Sequence, residues 1–516
     1  MKKIRNIFLT GALVLLCACG GEETYRYSLT DVAAKNEEAQ RLYDSGNYEE
    51  SLEMFLDAMQ EEPKDVLARI GVIKSQIALE NYDMALMNLN MAVPVLSHEE
   101  ELYDLYLQVS ELTDNISIAR NAVDLAKRYG VESFLERVPE KPVLGVEGGK
   151  YSQKLEVPVT VSDTGDMEIY ISVNKKDSYY FDNVVYQSPW MMTTGETKLL
   201  AYCVRDGIPS ETVEATYICE YEPTVVQFAE SVMEQLVRST INKQEGEITD
   251  LDCEQINSLS SYNLQSSDVD YEEYRQMKIK SLEDLRYFSN LTSLTIAEQT
   301  EIADYSQVGL CPLLSSLDMG SNELTDISFL SKLPCLSYLY LEDNQIKDVQ
   351  PVLQCRNLRG LEIEGNPVDN LSELMQMQKL SMLRFDVGQL NDLTVLERWE
   401  NLTDMSIYCT GKDDISVIGK MLQLDDLSIR YEYWEYDEYE EDDFIKDISF
   451  LENLTNLTYL NISGLRDLTQ IDCLQNLTKL QNLYLYNRYD REHGNEDAEA
   501  VKELQKALPN CSISFD

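Results

Sequence analysis

Histidine and basic residues are scarce in this sequence of 516 residues, and their scarcity excludes several classes of function. His98 and His493 are the only histidines in the sequence. A Ser-His-Asp or Cys-His arrangement would have to use one of them, and neither is accompanied by a nucleophile motif. Lys and Arg number 43 against 92 Asp and Glu, and the net charge of −49 repels the phosphates of nucleic acids. The same excess of acid fits either cationic partners or a plainly solvated surface.

Catalytic and nucleotide-binding motifs are missing as well. The sequence contains no G-x-S-x-G, H-E-x-x-H, Walker or Rossmann pattern. One catalytic alternative stays open, a hydrolase that uses two carboxylates, since so many acids bring some pair close together. We nevertheless expect a protein without enzymatic activity, cofactor or metal.

The N-terminal apolar run Ile7–Leu16 is too short to span a membrane, and the three basic residues before it make it a signal peptide. The letters LCAC end the run and resemble the lipobox of bacterial lipoproteins. The resemblance implies cleavage before Cys19 and lipidation of its thiol, with palmitate among the acyl chains. Residues 1–18 are then a lipoprotein signal peptide and residues 19–31 a tether. The expected location is the cell membrane, with the chain lipid-anchored on the extracytoplasmic side.

Of the eleven cysteines, two lie in the signal region and nine follow it. No C-x-x-C spacing occurs among the nine, so zinc and redox motifs have no support. An odd number cannot all pair internally. Several fall at repeat positions that point inward, so we expect buried free thiols.

Three segments spaced 34 residues apart share one helical pattern, beginning at Gly46, Glu80 and Asp114. Small residues recur at fixed positions in them and let two helices cross closely. The spacing and the pattern resemble tetratricopeptide repeats, and the resemblance covers residues 32–137. It implies an α-helical solenoid built from helix pairs.

Alternation with a period of two begins after residue 138, in the segments LEVPVTV, MEIYISV, TKLLAYCV and VEATYICEY. Such alternation with short connections predicts an antiparallel β-sandwich over residues 138–222. The arrangement is similar to the small β-sandwich modules at the C-terminal end of chitobiase and β-hexosaminidase chains. In that family the module is accessory, and no catalytic residue is carried over.

Nine segments of the form L-x-x-L-x-L begin at Leu291 and recur mostly every 22 or 23 residues, which is the leucine-rich repeat signature. The second and third apolar residues of each segment are two apart and point to one face of a short strand. Each strand buries that face only by stacking on its neighbours, which predicts a parallel sheet along the concave side of an α/β solenoid. The solenoid covers residues 281–516 with a C-terminal cap, and residues 223–280 form a helical cap and first solenoid turns. The NxIxDISxL pattern resembles bacterial internalin-like surface proteins.

An asparagine that bonds neighbouring turns in such repeats is present at Asn322, Asn344 and Asn366. We expect an incomplete ladder and less rigid loops in the second half of the solenoid, because the other repeats have different residues there. These are Gln299, Gly388, Thr410, Glu432, Leu465 and Arg488.

One interval between repeats is 33 residues long, and the excess holds the insertion YEYWEYDEYEE at 431–441. Insertions collect on one face of a solenoid and often belong to its binding side. The insertion is therefore a loop on a regular scaffold, either touching a ligand or simply solvated. The glycine-bearing calcium loop is missing, which disfavours Ca²⁺.

The predicted concave positions combine tyrosines, carboxylates and two arginines. Such a surface suits a protein segment that carries Lys or Arg, although every solenoid also shows a polar face. The candidates for ligand contact are Asp318, Tyr338, Tyr340, Glu362, Arg384, Asp404, Tyr408, Asp426, Arg430, Trp434, Tyr459 and Tyr484.

The sequence therefore predicts a multidomain protein with a helical solenoid, a β-sandwich and a leucine-rich repeat solenoid. We expect a lipid-anchored, non-catalytic scaffold that binds a protein partner through the concave face and the helical repeats, and no nucleic acid. The alternative is a lipoprotein that binds glycan or cell wall through the β-sandwich and the tyrosine-rich surfaces.

Overall fold

The computed structural model describes residues 31–162, 167–176, 178–186, 189–265, 276–409, 413–431, 445, 447–463, 471–486 and 494–515. The chain divides into two compact units. One comprises the residues up to 139 together with 205–209, and the other comprises 140–204 and 210–516. Among the described residues, no helix combines the length and the apolar character needed to cross a bilayer.

The first unit consists of helical repeats. Its helices are α1 (Val32–Asp44), α2 (Tyr48–Glu61), α3 (Val66–Ala78), α4 (Tyr82–Ala92), α5 (Glu100–Leu112), α6 (Ile116–Tyr129) and α7 (Glu132–Leu135). Side chains of Asp31, Asp65 and Asn115 accept hydrogen bonds from the first turns of α1, α3 and α6, which is why those helices begin there.

Small residues at the repeating position lie where helices cross. Ser51, Ala85 and Ala119 are all fully buried. Ser51 replaces the alanine of the pattern without leaving a buried hydroxyl unpaired, because its Oγ donates to the Ala39 carbonyl at 2.9 Å. The adjacent Gly71 lies so close to the ring of Phe55 that an added Cβ would have no room.

Ten short strands are described between the helical repeats and the leucine-rich region, most of them in the second unit, while the segment 205–209 of the first unit contributes to two of them. They are β1 (Val143–Leu144), β2 (Gly149–Tyr151), β3 (Leu155–Val157), β4 (Val159–Thr160), β5 (Glu168–Lys175), β6 (Tyr180–Val185), β7 (Trp190–Met192), β8 (Gly195–Arg205), β9 (Ile208–Pro209) and β10 (Val213–Cys219). The main sheet has the order β2-β10-β8-β5-β6, and β1 pairs β4 while β3 pairs β7. These pairs are antiparallel except β2 and β10, which run parallel; the long stretch of chain between them permits this arrangement.

The strands of this region, called the β-module here (residues 140–222), pack directly on the leucine-rich region. Leu313 and Cys335 from the latter are buried in the apolar core of the β-module. Glu254 is 6% exposed and binds Lys154 at 2.7 Å, and it also accepts hydrogen bonds from the hydroxyls of Thr194 and Tyr221. The contact is therefore both apolar and ionic, unlike that of a loosely tethered spacer.

The described residues of the leucine-rich region form one parallel sheet of eleven strands in consecutive order. Two helices come before the first strand of this sheet in the chain, α8 (Ser231–Ile241) and α9 (Asp250–Glu254). A third helix, α10 (Gly494–Ala507), comes before its last strand. The strands are β11 (Ser258–Ser260), β12 (Ser293–Thr295), β13 (Ser316–Asp318), β14 (Tyr338–Tyr340), β15 (Gly360–Glu362), β16 (Met382–Asp386), β17 (Asp404–Cys409), β18 (Asp426–Tyr431), β19 (Tyr459–Ser463), β20 (Asn482–Tyr486) and β21 (Ser512–Phe515).

The repeat leucines explain this sheet. Leu317, Leu339 and Leu361 stand opposite one another on successive strands and are fully buried. The chain returns between strands through short 3₁₀ helices, such as Ser328–Lys332 and Gln350–Gln354, whose apolar residues cover the other side of the same core. Stacking is therefore the only way for each repeat to bury its apolar face.

The asparagine ladder extends beyond the three asparagines of the sequence pattern. The Asn344 Oδ1 accepts from the Asn322 amide at 3.0 Å, and the Asn322 Oδ1 accepts from the Gln299 amide at 2.6 Å. Gln299 continues the ladder, since its Oε1 accepts from the Ile279 amide at 2.9 Å. At the other end, Gln389 Nε2 donates to main-chain carbonyls of the preceding turn, one residue past the expected Gly388.

The ladder is thus more complete through Gln389 than the sequence predicts. Thr410, Glu432, Leu465 and Arg488, on which the expectation of less rigid loops also rests, lie outside the described residues. The nine described cysteines are free thiols, and all are buried except Cys473, which is half-buried.

Candidate functional site

Side chains that alternate with the buried leucines cover the outer surface of the eleven-stranded sheet, and we call this surface the open face. In β16, Leu383 and Phe385 point into the core, so Met382, Arg384 and Asp386 point to the open face. The same alternation holds in the neighbouring strands because they pair in register. The open face is the surface that the sequence predicts to be concave.

Three rows of side chains cross the strands on the open face. Neighbouring residues of a row lie on adjacent strands, whose backbones are about 4.8 Å apart. The first row runs through Ser316, Tyr338, Gly360, Met382, Asp404, Asp426 and Tyr459. The middle row runs through Asp318, Tyr340, Glu362, Arg384, Ser406, Ser428, Asn461 and Tyr484. The third row includes Glu342, Glu364, Asp386, Tyr408 and Arg430.

Arg384 occupies the centre of the open face. Its Nη1 lies 3.1 Å from the Glu362 carboxylate on the neighbouring strand. Glu362 is only 9% exposed; burial raises its pKa, and the nearby guanidinium groups of Arg384 and Arg430 act in the opposite direction. This ion pair is therefore half-desolvated and sits among further acids.

Two pairs of carboxylates face each other across neighbouring strands. Asp404 stands directly opposite Asp426 in the first row, and Glu342 neighbours Glu364 in the third row. Burial first, and the adjacent carboxylates next, raise the pKa of Asp426 to about 6 and that of Glu364 to about 7. The two carboxylates of each pair therefore repel each other when both are ionised.

Tyrosines and an arginine flank these acids. Arg430 Nη1 donates to the Tyr408 hydroxyl at 3.0 Å. Tyr459 and Tyr484 lie on adjacent strands with ring centroids 5.6 Å apart and planes inclined by 41°. Tyr338 is 41% exposed, which leaves much of its ring available for contact. Large rings with few rotatable bonds supply contact area at low entropic cost.

Several buried polar atoms of the open face have no hydrogen-bond partner within the described part of the chain. Buried polar groups are nearly always paired in native proteins, so a local concentration of unpaired ones indicates a surface that is completed by water or a ligand. These atoms are Glu342 Oε2, Glu364 Oε2, Arg384 Nε, Ser406 Oγ and Asn461 Oδ1.

The structure brings together on the open face eleven of the twelve ligand-contact candidates named from the sequence. The twelfth, Trp434, lies outside the described residues, as do Cys19 and residues 432–441 of the insertion. The eleven are Asp318, Tyr338, Tyr340, Glu362, Arg384, Asp404, Tyr408, Asp426, Arg430, Tyr459 and Tyr484.

Sequence reasoning missed the small polar residues of the middle row. Ser406, Ser428 and Asn461 occupy the same motif position as Arg384, between the two inward apolar residues of each strand. That position is the signal that would have found them. Across the described residues, no group of three or more His, Cys, Asp or Glu side chains is arranged to hold a metal ion.

Comparison with known proteins identifies the repeat. Residues 312–355 match the family model described as leucine rich repeats (2 copies), which is not a catalytic family. Among solved structures, internalin C2 of Listeria monocytogenes is similar, with 24% identity over 47% of this chain and 98% of that chain and a TM-score of 0.36. An internalin (inlF) of the same species has 20% identity over 56% and 91%, with a TM-score of 0.35. No match is found among the curated proteins.

Proposed function

We propose that this protein is a non-catalytic scaffold that binds a protein partner through the open face of its leucine-rich repeats. The single observation that carries the proposal is the concentration of tyrosines, like-charged carboxylate pairs and unpaired buried polar atoms on that one face. A leucine-rich repeat sheet presents such a face as a continuous surface, broad enough for a protein segment.

Charge complementarity defines the kind of partner. Among the described residues, seven carboxylates lie on the open face against two arginines, and neither Asp404 nor Asp426 makes an ion pair, although Arg384 acts electrostatically on both. A partner segment with lysine or arginine relieves their repulsion and gains specificity and association rate from the opposite charge. The remaining carboxylates are Asp318, Glu342, Glu362, Glu364 and Asp386, and the arginines are Arg384 and Arg430.

Capture experiments with the full chain test this proposal. A triple variant, Tyr338→Ala with Tyr459→Ala and Tyr484→Ala, removes three tyrosine rings from the open face and leaves Tyr340 and Tyr408 in place. We expect it to lose at least tenfold in affinity for captured partners, because a buried aromatic side chain contributes on the order of 2 kcal/mol or more at an interface.

The matched control removes exposed apolar side chains elsewhere on the same solenoid, by Leu310→Ala and Leu422→Ala, and it is expected to bind normally. A second variant alters the exposed methionines of α4, by Met84→Ala, Met87→Ala and Met91→Ala. Loss of capture in that helical variant alone would move the main binding site to the helical repeats.

The N-terminal sequence supports an anchored location. We propose that Cys19 is lipidated and that the protein is held at the extracytoplasmic surface of the cell membrane, since two acyl chains anchor a protein stably. Mass spectrometry of the mature chain checks this: a diacylglyceryl group on an N-terminal cysteine is expected, and Cys19→Ala should release the protein from the membrane. An unmodified N-terminus on the mature wild-type chain would contradict it.

The other two regions have supporting roles in this proposal. The helical repeats are tetratricopeptide-like and offer a second binding surface, as the 34-residue spacing supports. The β-module is a β-sandwich of the accessory kind. Its ionic and apolar contacts with the leucine-rich region support a role in holding the open face at a fixed position, rather than as a separate binding domain.

One observation favours a glycan as the second candidate ligand. Tyr459 and Tyr484 form an inclined aromatic pair on the open face, and aromatic faces also bind sugar rings. Soluble peptidoglycan and polysaccharide fragments in a binding assay distinguish the two ligands. Binding that is lost in the triple tyrosine variant but unaffected by neutralising the carboxylates would favour the glycan.

A further inference from the structure

The first row of the open face contains two opposed carboxylates that make no ion pair within the described residues, although Arg384 lies close enough to act electrostatically on both. Asp404 in β17 and Asp426 in β18 stand directly opposite each other, about 4.8 Å apart at the backbone. Asp425, the residue before Asp426, adds a further negative charge. Within the described residues, neither Asp404 nor Asp426 makes an ion pair, since the nearest arginine, Arg384, binds Glu362 instead.

A buried hydroxyl without a partner lies beside this pair. Ser406 follows Asp404 by two residues on the same strand and therefore points to the same face. It is 3% exposed, and its Oγ has no hydrogen-bond partner among the described residues. Ser428 stands opposite it on β18, so two short side chains lie between the acids and the larger Tyr408 and Arg430 of the third row.

The neighbouring strands delimit this place on both sides. Arg384 on β16 and Asn461 on β19 stand next to the two serines in the middle row. In the described ranges, Arg384 Nε, a donor, and Asn461 Oδ1, an acceptor, are themselves buried and unpaired on either side of the serines, while Glu342 Oε2 and Glu364 Oε2 are unpaired elsewhere on the open face. A donor group of a ligand held here gains hydrogen bonds to the unpaired acceptors without having to break existing ones.

The chemistry of these groups selects a primary ammonium. An ammonium carries three N–H donors on a compact centre, which matches three acceptors: the carboxylates of Asp404 and Asp426 and the hydroxyl of Ser406. A guanidinium is planar and wide, and it pairs best with a single carboxylate in a two-pronged arrangement. Two opposed aspartates with a hydroxyl in the adjacent row fit the smaller group.

We propose that Asp404, Asp426 and Ser406 form a subsite for one lysine ammonium of the partner. This inference rests on the proposed function and deepens it by naming the group that the open face recognises and the residues that recognise it. The site prefers lysine over arginine, and the positive charge offsets the repulsion between the two aspartates.

Titration calorimetry with the full chain tests the subsite. The probes are three capped peptides, acetyl-Gly-Gly-Xaa-Gly-Gly-amide, in which Xaa is lysine, arginine or norleucine. We expect the lysine peptide to bind more tightly than the arginine peptide, and the norleucine peptide not to bind. The double variant Asp404→Asn with Asp426→Asn should bind the lysine peptide about a hundredfold more weakly, and Ser406→Ala about tenfold more weakly, as hydrogen bonds to a charged group imply.

A control with the same change of charge separates a specific site from general attraction to an acidic protein. Glu373→Gln with Glu400→Gln removes two exposed carboxylates away from the open face and should leave binding unchanged. Folding of each variant is checked by thermal unfolding, and the aspartate variant is expected to be at least as stable as wild type because it removes like charges. Ser406→Ala provides an independent test, since it leaves every charge in place.

Three results would overturn the subsite: equal binding of lysine and arginine peptides, equal losses in the aspartate and glutamate variants, or no binding of the lysine peptide by the unaltered chain. None of these affects the capture of a partner through the tyrosines. Conversely, if the peptide results are as expected but partner capture is insensitive to the triple tyrosine variant and to the aspartate variant, the subsite stands and the proposed function fails.

Discussion

Glu364 is a residue of the open face whose protonation makes the stability of the fold depend on pH. Burial, together with Glu362 and Glu342, raises its pKa to about 7 from an ordinary value of 4.5. The folded chain therefore holds a proton on Glu364 at a pH where the unfolded chain has released it. The stability that this proton contributes is fully present below pH 4.5 and is lost as the pH rises through 7.

The substitution Glu364→Gln keeps the shape of the side chain and removes its charge. We predict that it raises the free energy of unfolding by about 2 kcal/mol at pH 8, and that the gain largely disappears at pH 4.5. Chemical denaturation of the full chain at the two pH values measures this. The exposed Glu373→Gln serves as the control and should change little at either pH, while an equal gain of the Glu364 variant at both would contradict the assignment.

The ionisation of a second single residue, Asp426, makes the affinity for a cationic ligand depend on pH. Its pKa is raised to about 6, mainly by burial and then by Asp404 and Asp425, while Arg384 acts to lower it. A cationic ligand binds the ionised carboxylate, so binding releases a proton below about pH 6. We predict that the affinity for the lysine peptide rises between pH 5 and pH 8, and that Asp426→Asn removes most of this dependence.

Calorimetry in two buffers of different ionisation enthalpy detects the released proton directly. A pH-independent affinity, or one that falls as the pH rises, would show that the aspartate pair does not take part in binding.

At the scale of the repeat, the asparagine ladder joins one turn to the next. Asn344 is fully buried; its Oδ1 accepts from the amides of Asn322 and Leu324, and its Nδ2 donates to carbonyls of two turns, including that of Met319. One side chain therefore satisfies polar main-chain groups that have no alternative partner.

Asn344→Ala leaves several of those groups unpaired inside the solenoid. At about 1–3 kcal/mol for each uncompensated group, we predict a loss of about 3–5 kcal/mol in unfolding free energy. The half-buried Asn357, whose Nδ2 donates to the single carbonyl of Pro334, provides the comparison, and Asn357→Ala should cost about 1 kcal/mol. Denaturant unfolding of both variants measures the difference; similar losses would show that the ladder is not the main link between turns.

The repeating elements were predictable from sequence because their physical cause is local and periodic. The leucines of β13 to β20 predict inward-facing strands every 22 or 23 residues, apart from the one interval of 33 that holds the insertion. The helical repeats follow in the same way from the 34-residue spacing. Gln389 was not predictable, since it joins the ladder from one residue beyond the expected position through its longer side chain. The parallel pairing of β2 with β10 was not predictable either, because no local pattern encodes which distant strands meet.

The candidate site was predictable only in part. Alternation along each strand places Tyr338 and Asp404 on the open face, but the neighbours that raise a pKa belong to other strands. A single serine such as Ser406 gives no sequence signal for a binding site. Ser406 becomes a candidate only because the structure buries it on β17, between β16 and β18. Properties of a residue that depend on its neighbours across the sheet therefore require the structure.

At the scale of the whole molecule, the contact between the β-module and the leucine-rich region is a structural joint. Burial acts to raise the pKa of Glu254, but hydrogen bonds from Lys154, Thr194 and Tyr221 outweigh it and hold this pKa below its usual value. Its contribution to stability is therefore present above pH 4.5 and is lost as the pH falls below that value.

We predict that Glu254→Gln lowers the free energy of unfolding by about 2–4 kcal/mol at pH 7, because it leaves Lys154 next to a buried neutral group. The exposed pair of Lys198 and Glu214 within the β-module is the control, and Glu214→Gln should cost less than about 1 kcal/mol. Thermal and denaturant unfolding of the full chain distinguish them. If both changes cost the same, the joint does not depend on Glu254.

The central claim is that the open face is the surface that touches the partner, and site-specific photo-crosslinking measures it most directly. A photoreactive phenylalanine derivative replaces Tyr338 on the open face in one full-length chain and the similarly exposed Leu422 on a connecting turn in another. The account predicts that the partner is crosslinked from position 338 and not from position 422. Equal crosslinking from both positions, or crosslinking from position 422 alone, would contradict it.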